Sequence, residues 1–225
     1  MIRLVKDCIF PSIDRVELVK IICTYESYKD IALFWVQNDG DSIISMLDGN
    51  MVIYNKSAQL DELKDFIGMI CPNSIFTDSN TAINLGLDNF NTVSVMKKIS
   101  NEDSTVVSDR LSSSEIYDMF NTNGLDLVPY EYFAVDYCHR LNGKKADYFG
   151  IKDICAAVSF NCDGYAVING IVSRKKGMGS VALGGIMSKN KGRTVFACCN
   201  KNIEEFYIKN GFEFFYNAVY QVRNK

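Results

Sequence analysis

The segment from Tyr165 to Met187 constrains the fold more than any other part of the chain. The β-branched run Tyr165–Val172 leads into Arg174-Lys175-Lys176-Gly177-Met178-Gly179-Ser180, then into Val181-Ala182-Leu183-Gly184-Gly185-Ile186-Met187. That order predicts a strand, a glycine-rich turn and a helix start. Glycines in such a turn let backbone amides approach a ligand closely, and a helix N-terminus favours an anion. Three basic side chains ahead of the glycines add positive potential. The segment therefore reads either as a cradle for phosphate or pyrophosphate or as a basic surface turn. Two nucleotide motifs are discounted. A dinucleotide turn, Gly-x-Gly-x-x-Ala, fits Gly177–Ala182 but wants an acidic residue at the end of the next strand, where this chain has Cys198-Cys199-Asn200. A P-loop needs Gly-Lys-Ser/Thr after its glycines, and none occurs.

A chain of 225 residues holds one large domain or two small ones. Its 48% hydrophobic and 23% charged residues are ordinary for a globular protein and supply a core for both halves. The net charge of −3 does not point to nucleic acid, and the basic cluster at 174–176 suits one small anionic ligand better than a polymer. Eight cysteines without a Cys-x-x-Cys pair, and a single histidine, argue against structural zinc, so no metal is expected. Cys23, Cys155, Cys198 and Cys199 lie in apolar runs and read as reduced, buried thiols of a cytoplasmic protein. The start Met1–Asp7 lacks a signal-peptide core, and no run approaches the ~18–20 apolar residues of a spanning helix, so no membrane partner is expected.

Periodicity predicts a helix over 12–27, strands at 31–37, 42–47 and 51–54, and a helix over 58–69 capped by Ser57. A strand at 74–77, a short helix at 81–85 and a strand at 92–97 complete the first half. The polar stretch 100–114 reads as a linker. Beyond it come helices from Ser112 or Ser113 to Phe120 and from Pro129 to Leu141. Strands follow at 146–152, 154–160 and 164–173, a helix at 179–188 and a strand at 194–199. A helix at 203–210 and strands at 212–216 and 218–223 end the chain. The fold class is α/β (α+β), with mixed, mainly antiparallel sheets and flanking helices. The two halves follow one order: a hairpin turn at Asp48-Gly49 or Asp163-Gly164, a strand, a helix, a strand, a short helix and a terminal segment. This predicts related tandem domains over 1–100 and 101–225, the first without a glycine loop.

Downstream of the loop, Asn200 follows the strand 194–199, and Tyr207, Lys209, Gly211 and Phe212 follow in turn. This region resembles the GCN5-related N-acetyltransferase (GNAT) superfamily. Arg174, Gly177 and Gly179 match its acyl-CoA loop, Arg/Gln-x-x-Gly-x-Gly/Ala, and the later residues match its Asn…Tyr-x-Lys-x-Gly-Phe segment. The two motifs cover about the last third of the chain. A proline and an aromatic that relatives often carry before the loop are absent.

The resemblance implies a GNAT-like fold in which the first half is degenerate and the second binds acetyl-CoA as co-substrate. Backbone amides of Lys176, Gly177, Met178, Gly179 and Ser180 would face the pyrophosphate. Ile171 and Val172 would offer strand amides to the acyl arm, Arg174 charge, and Asn200 a hydrogen bond. Tyr207 would be the general acid that protonates the departing thiolate, suited by an ordinary phenol pKa near ~10. The implied activity is direct attack by a primary amine of a small-molecule or peptide acceptor, and the alternative is a non-catalytic acyl-CoA-binding or sensing module.

Other residues carry plainer readings. Gly184-Gly185 marks either a close approach of the helix to cofactor or sheet, or a kink. His139, one turn after Asp136, is structural or solvated more readily than it is an acceptor-site group. Trp35 reads as core. No residue stands out as a general base.

Overall fold

The computed structural model describes residues 1–56, 59–101, 103–125 and 127–222. In chain order the elements are β1 (Ile2–Val5), α1 (Val16–Tyr28), β2 (Leu33–Gln37), β3 (Ser42–Leu47), β4 (Asn50–Asn55), α2 (Leu60–Ile70), β5 (Ser74–Asp78), α3 (Ser79–Leu85) and β6 (Asn91–Ile99). They continue with α4 (Ser113–Asn121), α5 (Tyr130–Asn142), β7 (Ala146–Ile151), β8 (Cys155–Cys162), β9 (Tyr165–Ser173), α6 (Met178–Lys189), β10 (Thr194–Cys199), α7 (Glu204–Lys209) and β11 (Glu213–Val222). Among the described residues no helix is long and apolar enough to cross a membrane.

The chain forms two compact units that do not simply follow its halves. The first contains Met1–Met96 with Cys198–Ile208 and the segment from Glu213 onward; the second contains Lys97–Ala197 with Lys209–Phe212. In the first unit the strands run β1-β2-β3-β4-β5-β11-β6. Neighbours from β1 to β4 are antiparallel, β4 and β5 are parallel, and β11 returns antiparallel to β5. The parallel pair requires a crossover, and α2 supplies it. Trp35, Ile44, Ile53, Leu63, Phe66 and Ile75 form the core, so Trp35 is the core residue its sequence context suggests. In the second unit the order is β10-β9-β8-β7, with β9 and β10 parallel and the rest antiparallel. Here α6 is the crossover helix. Leu111, Ile116, Met119, Phe120, Ala156 and Val172 belong to a core under α4 and α5.

Local chemistry sets the helix ends. Asp78 caps α3, accepting the Thr81 amide at 3.0 Å, and Gly86 ends that helix with φ +67°. Ser112 and Glu115 form a reciprocal capping box at α4. Pro129 precedes the first residue of α5.

The structure corrects several expectations. β1 has no counterpart in the predicted elements, because a four-residue strand shows too little alternation to be read and is defined by its pairing with β2. The strands expected at 212–216 and 218–223 are one strand, β11, because nothing in Tyr216-Asn217-Ala218 forces a turn. The Ser57 cap, the start of its helix at Ala58 and the strand end at Arg223 lie outside the described residues. The cysteines are not uniformly buried: Cys71 and Cys138 are exposed, and Cys8 and Cys198 are half-buried.

Candidate functional site

The root of the site is an irregularity in β9. Its register with β8 pairs Val158 with Gly170 but Ser159 with Ile168, so Asn169 is an extra residue, a β-bulge. The parallel pairing with β10 ends at the same place, at Ala197–Ile168. Beyond the bulge, Gly170–Ser173 continue beside β8 but are no longer paired to β10. A strand sends alternate amides to either side, so the peptide groups of this stretch that face away from β8 have no partner on β10. Ile171 is half-buried there and Val172 buried.

The glycine loop follows directly. The Arg174 amide donates to the Ile154 carbonyl at 2.8 Å, and the Ser173 hydroxyl donates to the Lys175 carbonyl at 2.6 Å. The chain then turns at Gly177, which caps α6 with φ +84°. No heavy atom lies within 4 Å of the position a Cβ would take at Gly177, so the left-handed backbone, not crowding, calls for glycine. The first amides of α6, those of Gly179 and Ser180 among them, have no intrahelical acceptor. No acidic residue sits in its first turn, and Arg174, Lys175 and Lys176 are exposed just before it. Within the turn the Met178 amide donates to the Lys175 carbonyl at 3.1 Å, and the remaining amides at the start of α6, the left-handed glycine and the nearby cations make an electropositive turn of the kind that suits an anion.

A Cβ at Gly185 would stand 2.2 Å from the Phe149 ring. That glycine lets α6 lie close on the sheet, resolving the choice between close approach and kink.

Asn200 and Tyr207 belong to the segment that clusters with the first unit, whereas Ile171, Val172 and Arg174–Ser180 belong to the second. Asn200 is exposed and opens a short turn in which the Ile203 amide donates to its carbonyl at 3.0 Å; its side chain makes no capping bond. Tyr207, on α7, is only 3% exposed and lies edge-on to Phe206. Burial, reinforced by Cys199 and Cys198, raises its pKa well above the ordinary phenol value and keeps the hydroxyl protonated.

His139 is exposed on α5, and the Asp136 carboxylate accepts from Arg140 Nε at 2.8 Å. A cavity of about 410 Å³ in the first unit is lined by Lys64, Gly68 and Gly86 and by none of the residues of the loop.

Two groups escaped sequence reasoning. Glu17 is fully buried and accepts the Tyr216 hydroxyl at 2.5 Å, while Tyr216 accepts the Val16 amide at 3.0 Å. Thr122 accepts from the Arg174 guanidinium at 2.8 Å. No sequence signal links residues so far apart.

No protein-family model matches the sequence, and no curated protein does. Solved structures do match. A protein of Pyrococcus horikoshii assigned as an acetyltransferase superposes with a TM-score of 0.57 at 10% identity, over 91% of this chain and 78% of its own. A GCN5-related N-acetyltransferase from Sphaerobacter thermophilus gives 0.53 at 12%, over 89% and 83%. A tandem GNAT protein from the clavulanic acid biosynthesis pathway gives 0.53 at 9%, over 92% and 88%. At these identities the likeness is one of fold: the chain has a GNAT-superfamily fold.

Proposed function

We propose that this protein is an N-acyltransferase that moves an acetyl group from acetyl-CoA to a primary amine of a small-molecule or peptide acceptor. The observation that carries the reading is the break in β9: pairing to β10 stops at Ile168, a bulge follows, and the freed strand runs into the left-handed Gly177 and the bare N-terminus of α6. Strand amides that β10 leaves unpaired and helix amides beyond them are what an extended thioester ligand with a pyrophosphate needs. The amides of Lys176, Gly177, Gly179 and Ser180 take the pyrophosphate, with that of Met178 first having to leave the Lys175 carbonyl it meets at 3.1 Å; those near Ile171 and Val172 take the acyl arm, and Asn200 supplies a side-chain hydrogen bond.

In the reaction the neutral amine attacks the thioester carbonyl. The C–N bond forms and the C–S bond breaks; the sulfur takes the Tyr207 proton, and the proton that the nitrogen loses passes through water to restore the Tyr207 hydroxyl. A phenol is protonated at neutral pH, as a general acid requires; the burial that raises the Tyr207 pKa makes it slower to give that proton up, so it needs the thiolate close by.

The matching strand order of β2–β5 and β7–β10 supports tandem, related domains over 1–100 and 101–225, with the co-substrate loop in the second alone. One observation favours a second reading, a non-catalytic acyl-CoA-binding module: the Tyr207 side chain is nearly inaccessible. Calorimetric titration with CoA, followed by a panel of amines assayed for thiol release from acetyl-CoA, separates the readings. Binding with release supports the enzyme, binding without release the module, and no binding rejects both.

A further inference from the structure

Arg174 stands where a cofactor loop offers a cation, yet its side chain is turned toward the protein. Its Nη2 donates to Thr122 Oγ1 at 2.8 Å, and its Nη1 lies 3.7 Å from Asp153 Oδ1. Thr122 is the C-cap of α4, and its hydroxyl donates to the Asp118 carbonyl of the last turn at 2.6 Å. The same hydroxyl therefore finishes α4 and receives the guanidinium. A second contact lies nearby. Phe120, two residues earlier, packs on Gly170, where a Cβ would stand 2.7 Å from its ring. Gly170 is the first residue after the β9 bulge. The end of α4 thus grips the β9 arm at two points, one on each side of Ile171 and Val172.

Resting on the acyl-CoA reading above, we infer that Arg174 is a positioning residue, which ties the glycine loop to the C-terminus of α4 through Thr122 instead of ligating phosphate. A forked guanidinium directed at a hydroxyl and a carboxylate holds geometry that a flexible ammonium does not. The consequence is a stiff arm. Gly170, the strand amides and the loop move with α4, so the amides at the start of α6 are preorganised before any ligand arrives.

Hydrogen–deuterium exchange and CoA titration on full-length variants test this. In ligand-free protein, Thr122→Val and Arg174→Ala raise exchange at the loop amides 174–180 to the same extent, the double variant adds nothing further, and Thr122→Ser stays as wild type. In titrations, Thr122→Val, Arg174→Ala and Arg174→Lys each weaken CoA by about three- to tenfold, the loss of roughly one hydrogen bond, and Thr122→Ser does not. Unchanged exchange in Thr122→Val overturns the inference. So does restoration of CoA affinity by Arg174→Lys, which would mean the charge acts on the ligand directly. If wild type fails to bind CoA, the acyl-CoA reading falls, and the ligand-free exchange still decides whether Arg174 braces the loop.

Discussion

β2-β3-β4-β5 and β7-β8-β9-β10 have the same order and the same directions, two antiparallel pairs followed by a parallel one. A crossover helix joins the parallel strands in each, α2 in the first and α6 in the second. The two differ where those strands part. In the first, β4 keeps unbroken register with β3. The Thr77 hydroxyl donates to the Ile53 carbonyl at 3.0 Å. The Arg15 guanidinium reaches both the Asn55 carbonyl, at 3.4 Å, and the Asp78 carboxylate, at 3.1 Å, stapling the strand ends together. The N-terminus of α2 carries its own anions, Asp61 and Glu62, and Glu62 accepts from the Ile2 amide and from Gln37. In the second, β9 bulges and α6 has no acid in its first turn. The same topology gives a self-satisfied structure when the chain supplies the polar groups, and a helix start without an acid of its own when it withholds them; the second is the proposed place for an external anion.

The sharpest break in the comparison is chemical. Tyr207→Phe keeps the ring and removes the proton, so single-turnover acyl transfer should fall by ~10²–10⁴-fold, with CoA affinity unchanged. Equal single-turnover rates in variant and wild type would reject the role. Weaker CoA binding with unchanged chemistry would recast Tyr207 as a binding or packing residue.

The next effect is on stability and belongs to the first unit. Burial, the largest cause, lifts the Glu17 carboxyl to about 7, with Asp78 also raising it and Tyr216 and Arg15 opposing. Lys20, on the same helix, and Glu17 act on the Cys198 thiol from opposite sides of its charge balance. Because the folded pKa exceeds the unfolded value near ~4.3, the folded state binds more protons between them. The stability that Glu17 contributes is present below that value and is lost as pH rises to about 7. Glu17→Gln should remove a slope worth about 3 kcal/mol over this window. Urea unfolding at pH 4.5, 6 and 7.5 measures it, and parallel pH profiles for variant and wild type would refute it. In the second unit, Glu115 is held down to about 2, first by Lys152 and then by Ser112, so its contribution disappears only at acid pH.

How much of this was legible in sequence depends on whether a feature is local. The β3 strand (Ser42–Leu47) and β10 (Thr194–Cys199) match their patterns because alternation and flanking turn residues lie within the segment. The glycine loop was legible because Gly177 needs its own backbone angle. The bulge at Asn169 was not, since a bulge exists only relative to a partner strand. Neither was β11 beside β5, nor Arg15 between the ends of β4 and β5, nor Thr122 under Arg174: each joins groups with no shared sequence pattern. Tyr207 was found by motif, but its burial comes from packing that no motif encodes.

Opening the staple of the first half gives a smaller effect. Asp78 caps α3 and pairs with Arg15. Asp78→Ala should cost about 2 kcal/mol, combining a lost cap with a half-buried guanidinium left without its carboxylate. Chemical denaturation reads the loss, and CoA titration should show affinity within error of wild type. A large drop in CoA affinity with stability intact would mean that the first half takes part in ligand binding, and the contrast between the halves would fail.

The last and smallest change transplants one feature across the comparison. Ser180 is the third residue of α6, and Asp61 is the second of α2. Ser180→Asp gives α6 the kind of carboxylate that α2 already has. Near a helix N-terminus an acid is favourable by about 0.3–1 kcal/mol, so thermal stability should hold or rise slightly. The same carboxylate would lie among the amides proposed for the pyrophosphate. It would compete for those donors and repel the ligand, weakening CoA by roughly tenfold, or about 1.4 kcal/mol. Added salt should reduce the difference, because part of it is repulsion across solvent. The reciprocal change, Asp61→Ser with Glu62→Gln, should leave the stoichiometry at one CoA per chain, since Arg15 and Thr77 still close the strand ends. Opposite signs on stability and affinity in Ser180→Asp are the signature of an anion site at a helix terminus. Unchanged affinity would mean that the bare N-terminus of α6 is only the end of a helix.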